Sequence, residues 1–127
     1  MSNILDKIST APLAGISDSP FRVICRKYGA RKLYSEMISV EGLWRGHKNT
    51  RALVKKLEED GHMVLQLFGS KPESFAKAVE IVDKLEHVIE ININSGCPVK
   101  KVIKSGSGAA LMKDVPLLAN IVRNIFH

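Results

Sequence analysis

The stretch HMVLQLFGSKPESFAKAVEIVDKL, His62 to Leu85, decides the fold. It opens with six apolar or amide residues, Met63 to Phe68, held between Gly61 and Gly69, which is the length of one buried strand. Ser70-Lys71-Pro72-Glu73 then fits a capping box, with serine at the cap and glutamate three residues on. Phe75, Ala76, Val79, Val82 and Leu85 follow at helical spacing and predict one apolar helix face. A strand that runs through a four-residue turn into an amphipathic helix is a βα unit.

The same alternation extends in both directions. Upstream, Ile8 to Ala14 reads as a strand closing at Gly15. Asp18 caps a helix with Pro20 in its first turn, Phe21, Ile24, Cys25 and Tyr28 form its core face, and Gly29 stops it. A strand over residues 32–37 leads into a less regular helical stretch through Leu43 and Trp44, and a short helix is expected over 51–57. Downstream, Val88 to Asn94 is a strand. After a long glycine-containing loop, Asp114 and Pro116 open a helix with Leu118, Ile121, Val122 and Ile125 on one side, running to His127.

Four βα units predict parallel α/β architecture. They amount to half of a (β/α)8 TIM barrel, which typically needs about 250 residues. An open four-stranded parallel sheet is the alternative, although such sheets are normally covered on both faces and their edges invite pairing. Residues 1–127 are therefore expected to be the N-terminal half of a barrel, with the remaining units beyond His127. Its exposed edges would favour self-association or complementation.

Apolar residues make up 45% of the 127 and charged residues 25%, a balance that suits a soluble globular domain and argues against disorder. No apolar run approaches the length of a membrane span, and MSNILDKIS lacks the order of a signal peptide, so a cytoplasmic protein is expected. Cys25 and Cys97 have no metal-ligand spacing, and no metal centre is expected. Cys25 reads as a small buried hydrophobe. The net charge of +6 fits a polyanionic partner or a solvated basic surface.

On the last strand Ile89, Ile91 and Ile93 alternate with Glu90, Asn92 and Asn94, which sends the polar groups to the face opposite the helices. Gln66 interrupts the strand of the opening stretch in the same way: Met63, Leu65 and Leu67 face outward, and Gln66 shares the inner face with Val64 and Phe68. Each buried polar group needs hydrogen-bond partners, and Gln66 together with Asn94 predicts a polar ligand where the strands end. Cys97, three residues past Asn94 in ININSGCPVKK, lies at that mouth. Gly96 allows a sharp turn there and Pro98 fixes the exit. A thiol, with a pKa of about 8.5, is a usable proton donor. Lys100, Lys101 and Lys104 add charge for phosphates or simply a solvated face. SGSGAAL, from Ser105, lacks the lysine of a P-loop and follows no strand directly, which excludes a nucleotide-triphosphate site.

APLAGISDSPFR (Ala11 to Arg22), SEM (Ser35 to Met37), VLQLFGS (Val64 to Ser70) and NINSGCPVKKVIKSGSGAALMKD (Asn92 to Asp114) together resemble the tRNA-dihydrouridine synthases, in that family's order and spacing. The resemblance implies an FMN-bearing TIM barrel that reduces the C5–C6 double bond of uridine in tRNA, with NADPH as reductant. By position, Cys97 would be the proton donor to C5 and Asn94 would hydrogen-bond the uracil. Pro12, Leu13 and Ala14 match the segment that packs on the flavin, with Leu13 standing where methionine is common, and Gln66 matches the amide that bonds the isoalloxazine. The family's remaining flavin contacts and its C-terminal helical tRNA-binding domain would lie beyond His127. Two other readings stay open: an FMN-dependent dehydrogenase of free pyrimidines, of the dihydropyrimidine or dihydroorotate type, and a non-catalytic remnant with weak RNA affinity.

Overall fold

The computed structural model describes residues 4–126. Strands β1 (Tyr34–Ser39), β2 (Met63–Phe68) and β3 (Val88–Ile93) form a parallel sheet in the order β1-β2-β3. The connections carry helices α1 (Ser19–Lys27), α2 (Val40–Trp44), α3 (Lys48–Leu53), α4 (Pro72–Val82), α5 (Lys100–Lys104) and α6 (Val115–Ile125), with short 3-10 turns at Ile4–Lys7, Glu58–Asp60 and Gly108–Lys113. The parallel α/β class is as expected, and the sheet is open. His127, where the last helix was expected to end, lies outside the described residues, as do residues 1–3.

The sheet has three laddered strands rather than four. The stretch expected as the first strand makes one parallel bridge, Ser9 to Lys32, supported by Thr10 N–H donating to Lys32 O at 3.0 Å. Pro12 has no N–H to extend a ladder, and Leu13 O is taken by the turning amides of Ile16 and Ser17 at 3.1 and 2.9 Å. Fraying into a loop at this point carries Pro12 to Ala14 across the ends of the true strands.

Strand β2 is buried on both faces, with Val64 and Gln66 inward and the alternate residues against the helices. Met63, Leu65 and Leu67 are fully buried in one cluster with Phe75, Ala78, Val79 and Val82 of α4 and Ile121 of α6. Each of these side chains larger than alanine contributes roughly 1.5–3 kcal/mol by leaving water. Ile91 and Ile93 pack against the same cluster, as do Leu118 and Ile125, whereas Ile89 is exposed. Ala78, not Ala76, completes the buried face of α4.

Asp18 and Asp114 cap their helices, each Oδ1 accepting an N–H at 3.0 Å from Phe21 and Leu117. The capping box at Ser70 does not form. Pro72 takes the first helical position, so Lys71 becomes the extended residue before proline and the cap falls there, without a side-chain bond. The Ser70 hydroxyl instead donates to Ser105 O at 2.7 Å. The helix expected over 51–57 lies earlier, at Lys48–Leu53.

The larger correction concerns α1. Of its expected core face, Ile24 is 57% and Tyr28 87% exposed, and Cys25 is only half-buried. Arg22 is the buried residue, at 2% exposure. Its Nε donates to Asp60 Oδ1 at 2.9 Å, its Nη2 pairs with Oδ2, and its Nη1 donates to Ser17 O at 2.7 Å. Asp60 is fully buried and also accepts from Ser19 Oγ. A buried guanidinium needs this full set of acceptors, so helix rotation follows the ion pair rather than the apolar stripe.

Candidate functional site

At the C-terminal ends of β2 and β3 the loops enclose an open cleft of about 550 Å3. Pro12, Leu13 and Ala14 form one wall, and Gln66, Asn92 and Asn94 the polar floor. Met37 of β1 and Cys97 complete it. Every site residue expected from the sequence therefore lies on one cleft.

The floor follows from strand register. Gln66 pairs with Asn92 across β2 and β3, so both amides project to the face opposite the helices. Asn94 Nδ2 donates to Gln66 Oε1 at 2.8 Å, and Gln66 Nε2 donates to Asn92 Oδ1 at 2.8 Å. Asn94 Oδ1 accepts from Cys97 N–H at 3.0 Å and, more weakly, from Gly96 N–H at 3.3 Å. The strand-end asparagine thus forms an Asx turn that shapes the cysteine loop. Its second N–H meets only Met37 Sδ, at 3.8 Å, a weak acceptor that an oxygen would outcompete. Farther down this face Lys32 Nζ pairs with Glu90 Oε2 at 2.8 Å, and that hydrogen bond holds the lysine pKa up.

The apolar wall is not part of the sheet, so side chains hold it. Buried Ser17 clasps Leu13 twice, its Oγ accepting from Leu13 N–H at 2.8 Å and lying 3.0 Å from Leu13 O. Glu36 Oε1 accepts from Gly15 N–H. Ser35 Oγ accepts from Gln66 N–H at 3.0 Å and donates to Glu36 O at 2.6 Å, linking wall and floor. Sequence reasoning assigned no role to Ser17, Ser35 or Glu36, and none to Asn92 within the site. The signal for the first three was the segments APLAGISDSPFR and SEM themselves.

Beside this cleft, and sharing Met37 and Val99 with it, lies a second of about 700 Å3 with Arg45, Lys71 and Lys101 on its walls. Among the described residues no cluster could hold a metal ion, and no helix is long and apolar enough to cross a membrane.

An open parallel α/β sheet whose strand ends carry a polar floor, an apolar wall and a thiol has its cleft where α/β barrels open their mouths. A family model described as dihydrouridine synthase (Dus) matches residues 9–126. A probable tRNA-dihydrouridine synthase of Treponema pallidum (strain Nichols) is 36% identical over 115 residues, 91% of this chain and 34% of the relative. One of Helicobacter pylori (strain ATCC 700392 / 26695) is 38% identical over 115 residues, 91% of this chain and 35% of the relative. The tRNA-dihydrouridine synthase B of Shewanella oneidensis is 37% identical over 122 residues, 94% and 37% of the two chains. The chain belongs to the dihydrouridine synthase family, a family of oxidoreductases. It spans about a third of the length of these curated relatives.

Proposed function

We propose that this chain forms the uridine-facing part of a tRNA-dihydrouridine synthase, which reduces the C5–C6 double bond of uridine in tRNA using FMN and NADPH. The observation that carries the reading is the convergence of Cys97, Asn94, Gln66 and the segment Pro12 to Ala14 on one cleft at the strand ends.

The residues present fit the ring portion of a flavin. A flat heteroaromatic system needs an apolar surface on one side and fixed amides along an edge, and the Pro12–Ala14 wall and the Gln66–Asn92 pair offer both. When bound, reduced FMN supplies hydride to C6 of the base. Gln66 holds the ring edge, Asn94 directs its weakly engaged N–H to a uracil carbonyl, and the Cys97 thiol donates a proton to C5. The base must leave its stack to reach this cleft. The neighbouring cleft, where Lys71 and Lys101 stand beside the Arg45–Glu41 ion pair, together with exposed Lys100 and Lys104 on α5, keeps a net positive charge that supports a polyanionic substrate over a free pyrimidine.

The test joins this chain to the rest of a relative, replacing the matched 122 residues of the Shewanella oneidensis enzyme. Cys97→Ala in that chimera is expected to leave NADPH-driven flavin reduction intact and to lower tRNA uridine reduction by about 100-fold or more, the scale of losing a general acid. Unchanged tRNA turnover would remove Cys97 as proton donor. Electron exchange with uracil or dihydroorotate, but not with tRNA, would transfer the function to free pyrimidines.

A further inference from the structure

The segment SGSGAAL follows Cys97 by eight residues, and its glycines have no part in the chemistry above. We infer that Gly108 is a positioning residue for Cys97, the seat that sets how far the thiol stands out into the cleft; the catalytic consequence rests on the proton-donor reading.

Cys97 is held through its backbone from both sides. Its N–H is taken by Asn94 Oδ1, and its carbonyl accepts from Ala109 N–H at 3.0 Å. The residue beneath is Gly108, itself buried, with φ +61°. A Cβ there would lie 2.7 Å from Cys97 O, 2.8 Å from Val102 Cγ1 and 3.2 Å from Cys97 Cβ. The first and last contacts are to atoms that fix the thiol's own position, and because Gly108 is buried while Cys97 lines the cleft, the open side to which a methyl at residue 108 would displace Cys97 is the cleft.

The surrounding turn gives this seat little freedom to yield. Ser107 is 2% exposed and its N–H donates to Val102 O at 3.2 Å. Ser105 Oγ donates to Val102 O at 2.7 Å, and Ser105 O accepts from Ser70 Oγ at 2.7 Å. The turn is thereby tied to α5 and to the loop after β2. Gly106 provides an internal control. It has φ +75°, so a side chain meets the same left-handed backbone strain, but its Cβ would face Ser70 at 3.3 Å and not Cys97.

The readout is alkylation of Cys97 by iodoacetamide in the 127-residue chain, followed by peptide mass spectrometry with half-buried Cys25 as internal reference. It needs neither flavin nor tRNA, so a failure of the proton-donor reading leaves it untouched. Gly108→Ala should raise the Cys97 rate about fivefold or more, as expected for a thiol displaced toward solvent, with Cys25 unchanged. Gly106→Ala, which carries the same backbone strain without the close contacts, should lose less stability and leave Cys97 within about twofold of wild type. Equal shifts in both variants, or none in Gly108→Ala, overturn the inference. If Gly108→Ala does not fold, Val102→Ala removes bulk beneath the same glycine: a Cys97 rate changed about threefold or more supports the seat, and an unchanged rate overturns it. In the chimera, Gly108→Ala should lower uridine reduction about 10–100-fold with NADPH oxidation by the flavin unaffected, the scale of a misplaced reacting group.

Discussion

Helix α6 docks on the sheet through Ile121, Leu118 and Ile125, whereas α1 docks through a buried guanidinium and leaves Ile24 and Tyr28 in water. The two helices have similarly amphipathic sequences, but their attachment follows different rules. An apolar stripe tolerates sliding and repacking. A bidentate pair between Arg22 and Asp60, with Ser17 O and Ser19 Oγ completing the set, fixes one rotation and one depth. That rigidity reaches the site, because Ser17 also clasps Leu13 of the cleft wall. The helix that supports the wall is held by direction, and the helices behind the sheet by area.

The sharpest way to break this contrast is Asp60→Ala, which strands the Arg22 charge in a buried place. It is expected to lose about 3–5 kcal/mol in urea unfolding. In hydrogen exchange, opening should begin at α1 and spare α6. The double replacement Arg22→Met/Asp60→Leu should recover most of that loss, since an apolar pair carries no desolvation penalty. A double variant as unstable as Asp60→Ala would show that the pair supplies more than satisfied charge. Next in size, Ile121→Ala empties part of the core behind β2 and should cost about 2–5 kcal/mol, with opening centred on α6. Exchange that accelerates equally in α1 would merge the two regimes into one cooperative core.

The smallest effect concerns Glu41, which crosses from α2 to α4. The Ser74 hydroxyl bonded to it, and then Arg45 beside it at 3.0 Å, hold its carboxyl below the ordinary value of 4.5. A carboxyl lowered on folding contributes stability above its unfolded pKa and loses it as pH falls through the folded value. Because a third of the side chain is exposed, Glu41→Gln should lose only about 0.5 kcal/mol at pH 7. The difference from wild type should close below pH 4.5, and curves that stay parallel down to pH 3 would reject the assignment.

What the sequence made legible was the part governed by local period. The alternation in Met63 to Phe68 and in Val88 to Asn94 put Gln66 and Asn94 on the correct face, and Cys97 followed from chain distance alone. Asp18 and Asp114 were readable as caps because capping is decided within three residues. Ser70 misled because Pro72 moved the helix start by one position. The burial of Arg22 was not readable, since Asp60 lies 38 residues away in an acidic run, Glu58-Glu59-Asp60, that looks like surface. The loss of the first strand was partly local, since Pro12 lacks an N–H and Ser17 reaches Leu13 within four residues, whereas the Glu36 carboxylate that holds Gly15 lies 21 residues away, outside any such window.

One backbone amide settles the polarity of the whole floor. Cys97 N–H can only donate, so the oxygen of Asn94 must face it. The nitrogen of Asn94 must then meet the oxygen of Gln66, and the nitrogen of Gln66 the oxygen of Asn92. Three carboxamides that could each be drawn in two ways are left with one arrangement. It ends at Asn92 with an NH2 that finds no acceptor among the described residues. The floor therefore offers its occupant a donor, and a ring edge bearing a carbonyl or a lone-pair nitrogen matches it where an N–H edge does not.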